Sequence, residues 1–122
     1  MKQASNRIEQ LLRRQAATAH EAELRRELQA LAAAFREWER GALDSTTLSE
    51  RMKEFNDNAR HDLQLRYHTS QLSMPVAHAI ATGVVDRRTV PAELLDHLAG
   101  AIEFYSEPLT VAVAANSTGA QS

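Results

Sequence analysis

Cysteine is missing from the 122 residues, which excludes disulfide staples, thiol catalysis and thiolate metal sites. Glycine (4) and proline (3) are scarce and aromatics make 5% of the chain, so breakers of regular structure and large core side chains are both few. No apolar run approaches the roughly 18 residues of a membrane span. The opening MKQASNRIEQ has no apolar core of a signal peptide. Neither charge sign dominates: 14 basic residues face 16 acidic ones, for a formal net charge of −2, which argues against nucleic-acid binding through bulk positive charge. The expectation is a cytoplasmic protein with no membrane segment.

What remains is a helix-forming composition. Alanine, leucine, glutamate, arginine and glutamine fill most positions, and all favour helix. The length suits one domain. Large apolar side chains are few for a compact core, and small domains bury a smaller fraction of their surface, so self-association is the economical way to complete such a fold.

From about Ser5 to Arg40 neither proline nor glycine interrupts the chain, and the pattern predicts one long helix or two in series. Its apolar positions form two sets: Ile8, Leu11, Leu12, Ala16 and Ala19, then Leu24, Leu28, Leu31, Phe35 and Trp38. The second set steps 4, 3, 4, 3 as in a coiled-coil heptad. At about 100° per residue the two stripes lie roughly 160° apart around the helix. A straight helix cannot turn both toward one small core. The expectation is therefore a break near Ala19 to Ala22, or an N-terminal half that projects and packs on another molecule, such as a second copy.

Gly41 is placed to cap this helix, and Asp44, Ser45, Thr46 and Thr47 offer N-caps for the next. Thr47 with Glu50 fits a capping box. A second helix to about His68 carries Leu48, Met52, Phe55, Ala59, Leu63 and Tyr67, spaced 4, 3, 4, 4, 4. Asn56, Asp57 and Asn58 near its middle compete for backbone hydrogen bonds and predict a kink or short break. Pro75 starts a third helix that Gly83 stops, and Pro91 leads a fourth with Leu94, Leu95, Leu98, Ala101, Ile102 and Tyr105. Leu109 to Ser122 reads as a loose tail that begins with the apolar run LTVAVAA.

Chemistry-bearing patterns are sparse. Five histidines occur, but His61 and His68 are about 10 Å apart along a helix axis and cannot share an ion. His97 follows Glu93 at i, i+4 and offers a possible meeting with a helix-two group, yet the Glu-x-x-His pairs of bundle metal sites are absent. No nucleophile elbow, phosphate loop or His-Glu-x-x-His motif is present. The expectation is no enzyme, no cofactor and no metal site. The string AIATGVVDRRTVPAELLDHL resembles a degenerate helix-turn-helix over about 76–98, in which Arg87 and Arg88 would meet phosphates. Its turn is one residue too long, and Pro91 falls where a recognition helix should already be under way.

Trp38 with Gly41, Glu54-Phe55, Arg60 and Arg66, the alanine-rich run to Gly83, Pro91, and Phe104-Tyr105 together resemble short bacterial all-helical proteins to which no activity is attached. The likeness spans roughly 24–107 and implies one helical domain. The sequence thus predicts an all-α fold: a small bundle of about four helices with a long N-terminal helix and a disordered C-terminal tail. Its divisions are an N-terminal helical extension at 1–22, a helical domain at 23–107 and a flexible tail at 108–122. The leading expectation for function is a protein-protein interaction or self-associating module, a homodimer or a binder of another protein. Its contact residues are Ile8, Leu11, Leu12, Leu24 and Leu28. The alternative is a DNA-associated regulator acting through the helix-turn-helix-like corner.

Overall fold

The computed structural model describes the backbone of residues 2–106 and the side chains from Asn6 onward. The expected tail at 108–122, including LTVAVAA, lies outside the described residues. Within them the fold is all-α, with no strand. The order is α1 (Lys2–Glu39), α2 (Ser45–Glu54), a π-helical segment (Phe55–Arg60), α3 (His61–Tyr67), α4 (Ser73–Ala81), a 3₁₀ turn (Arg87–Thr89) and α5 (Ala92–His97). A last helix, α6, covers 99–106.

The described residues form two compact units. Unit 1 takes those up to Ala19 and from Gln71 on; unit 2 takes His20–Ser70. This division differs from the expected 1–22 extension and 23–107 domain, and it accounts for the rotated stripes. α1 is unbroken through Ala19 to Ala22, so the expected break is absent. Its first stripe serves unit 1, where Leu11, Leu12, Ala16 and Ala19 are buried. Its second half belongs to unit 2, where Ala34 is buried.

In unit 1 those α1 residues share a core with Val76, Ala77, Ala79 and Ile80 of α4, Val85 and Val90 of the following turns, and Leu94, Leu98 and Ile102. Gly83 ends the α4 region at φ 79°, in the left-handed conformation that lacks a penalty only for glycine. Pro91 takes φ −57° and ψ 140° as the residue before α5. The predicted fourth helix is two segments, because Leu98 leaves helical geometry at ψ 5°. The joint stays hydrogen-bonded: the Leu98 N–H donates to the Leu94 carbonyl at 2.9 Å, and the Ile102 N–H donates to the Leu98 carbonyl at 2.8 Å. Leu94, Leu98 and Ile102 therefore stay buried across it. Arg7 Nε donates to Glu93 Oε1 at 2.6 Å on the unit's surface.

Unit 2 is a helical hairpin. Gly41, at φ 79°, closes α1, with the Gly41 N–H on the Trp38 carbonyl and the Ala42 N–H on that of Glu37. Trp38 Nε1 donates to Ser45 Oγ at 2.9 Å across the loop. Asp44 is the N-cap of α2, its carboxylate accepting from the Thr47 N–H at 2.7 Å. Helix begins at Ser45, so Thr47 lies inside the first turn, and the expected Thr47–Glu50 capping box does not form.

The interruption expected at Asn56–Asn58 takes the form of the π-helical segment. A step of four residues advances about 40° beyond a full α-helical turn, so four residues spaced by fours would drift off any one face. A π turn holds more residues per turn and absorbs the drift. Phe55 and Ala59 thus stay half-buried, while Leu63 and Tyr67 are buried.

Three carboxylates stabilise these local structures while they are ionised. The Thr47 hydroxyl and then its N–H at Asp44, the Arg88 guanidinium and N–H at Asp86, and Arg7 at Glu93 hold each carboxyl below its usual range. A lowered folded pKa contributes stability that is present above the unfolded value and lost as pH falls through the folded one. Stability is therefore expected to fall as pH drops below about 4, the unfolded carboxylate range. In Asp44→Asn, which keeps a capping oxygen, that acid-side loss should be smaller; urea unfolding across this pH range measures it.

Candidate interaction surface

The residues expected to make contacts fall into two groups. Leu11 and Leu12 are 6% and 7% exposed and Ile8 is half-buried, all in unit 1. Leu11 and Leu12 are core residues, because the face they occupy is covered by the C-terminal part of the same chain, a possibility that stripe spacing alone does not reveal. In unit 2, Leu24 is half-buried and Leu28 is 46% exposed. The open apolar surface on α1 therefore lies in its second half.

Unit 2 has a thin core. Its buried apolar side chains are Ala34, Leu48, Leu63 and Tyr67, whereas Leu28, Trp38, Met52 and Leu65 are exposed. Leu24, Leu28 and Phe35 lie within about 40° of one another around α1, and Leu28 points about 120° away from buried Ala34. The α1 stripe is thus wider than its hairpin partner covers. Beside Leu28 is a shallow hollow of about 300 Å³ lined only by α1 residues: Glu21, Arg25, Leu28, Gln29 and Ala32. Glu21 and Arg25 pair at 3.5 Å, which leaves this strip without net charge.

A second groove, of about 380 Å³, runs between α1 and the α2–π segment, with Leu31, Ala34, Phe55 and Ala59 among its walls and Glu27, Arg51 and Glu54 at its edge. That mixed edge concentrates no charge for a phosphate or a carboxylate.

At the far end of the hairpin, Tyr67 is buried and its hydroxyl donates to Glu23 Oε2 at 2.6 Å. Burial, then the bond to the Glu23 carboxylate, pushes its pKa well above the ordinary phenol range. Arg66 also reaches Glu23, at 3.2 Å. His20 lies against this group, 5.3 Å from the His68 ring centre and 6.1 Å from that of Tyr67. Sequence spacing gave no sign of the His20–His68 pair, since it joins α1 to the end of α3. His61 and His97 are exposed, in unit 2 and unit 1 respectively. No group of three or more His, Asp or Glu able to hold a metal occurs among the described residues.

The helix-turn-helix-like corner has little charge to offer. Asp86 accepts from the Arg88 N–H at 2.9 Å and from its guanidinium at 3.0 Å, so Arg88 is locally neutralised. α5 has six residues; Leu94 is fully buried, and its exposed positions include Glu93, paired with Arg7, and Asp96, an acid that repels phosphate. No helix among the described residues is long and apolar enough to cross a membrane. No protein family, curated protein or solved structure matches the chain.

Proposed function

We propose that this chain is a self-associating helical module, in which the unit 2 hairpins of two copies pack into a four-helix bundle through the α1 flank of Leu24, Leu28 and Phe35. The observation that carries the reading is the exposure of Leu28 at 46%, in mid-helix, on a hairpin with four buried apolar side chains. A helical layer needs another layer to bury its apolar stripe, and two hairpins supply four helices for one core. A second copy suits the flank because a two-fold interface brings the same patch against itself. A strip of one charge sign would repel its own copy; this one carries both Glu21 and Arg25.

The absence of cysteine gives a direct test. In Ala32→Cys, with the new thiol beside Leu28, mild oxidation is expected to yield a covalent dimer. A cysteine at exposed Gln10 is the control and should yield little. Equal cross-linking at both positions, or none at position 32, contradicts the interface.

A further inference from the structure

We propose that His20 and His68 form a two-imidazole site for a divalent transition-metal ion, zinc or copper in class, which clips α1 to the end of α3 within unit 2. The ring centres are 5.3 Å apart and the rings nearly perpendicular, at 85°. With metal–nitrogen bonds of about 2.0–2.1 Å, two imidazoles on one tetrahedral ion have ring centres about 5 Å apart. The separation already matches a shared ion. His68 is exposed and His20 half-buried, so both rings can turn to present a nitrogen while water fills the other positions.

The surroundings favour a cation. His68 follows the last residue of α3, and its N–H donates to the Gln64 carbonyl. The negative end of the helix dipole therefore lies at the site. Arg66, two residues before His68, is offset by Glu23 in a 3.2 Å pair. Imidazole nitrogens select zinc, copper and nickel over magnesium and calcium. With so few buried apolar side chains in unit 2, an ion that joins its two strands of helix would raise stability by binding the folded state alone.

The test is calorimetric titration of the full chain with zinc chloride, with thermal unfolding in the same buffer. One ion per chain and a raised Tm are expected. His68→Ala, at an exposed position, should weaken binding by at least about tenfold, since even outer partners of metal ligands matter by 10–100-fold. His20→Ala should do the same, and His61→Ala should change nothing. Copper(II) in place of zinc should give an electron paramagnetic resonance spectrum with two nitrogen ligands. Absence of binding by the intact chain, or undiminished binding in His68→Ala, overturns the site.

Discussion

Leu28→Glu is expected to turn the associated chain into a monomer without loss of helix. Burying a leucine is worth about 1.5–3 kcal/mol, and a two-fold interface contains the residue twice. Removing both side chains and placing two carboxylates in the seam should weaken association by at least about a hundredfold. Because Leu28 is 46% exposed within the single chain, circular dichroism and the unfolding midpoint of the monomer should barely change. Leu28→Met keeps the volume and apolar character and should keep the dimer. A variant that unfolds would place Leu28 in the core of the single chain; one that stays associated would move the interface elsewhere.

Leu94→Ala should have the largest effect on stability. Leu94 is 0% exposed and anchors the run Leu94, Leu98, Ile102 in unit 1. Truncating a buried leucine removes its transfer free energy and leaves a cavity, together costing about 2–5 kcal/mol. Against the roughly 5–15 kcal/mol that holds small proteins folded, this is a large fraction. Leu65→Ala, at a position 63% exposed, should stay within about 0.5 kcal/mol. Urea unfolding followed by circular dichroism compares the two. The single tryptophan, Trp38, lies in unit 2, so its fluorescence reads that unit separately. A Leu94→Ala loss near that of Leu65→Ala would contradict the assignment of the unit 1 core.

The residues that were legible in advance are those whose signal is local. The long first helix, the glycine stops at Gly41 and Gly83, and the all-α class follow from propensity and capping chemistry, which act over a few residues. The rotation between the α1 stripes was legible too, but its cause was not. Two faces on one helix are explained by two cores, and which distant segment covers Leu11 and Leu12 is a property of chain topology rather than of spacing. The 4, 4, 4 spacing from Phe55 to Tyr67 is the trace of the π turn, whereas the kink expected there rests on the short polar side chains of Asn56, Asp57 and Asn58. The His20–His68 pair left no trace, since its partners are on different helices and come together only through the hairpin. On the surface, what spacing could supply was Leu24 and Leu28. That Leu28 is open while Leu11 and Leu12 are covered depends on packing alone.

The central claim is that unit 2 is completed by a second copy, and sedimentation equilibrium of the full chain at tens of micromolar tests it most directly. The account predicts twice the 13.6 kDa chain mass, falling to the single-chain mass in Leu28→Glu. A single-chain mass for the unaltered protein across that concentration range would contradict it.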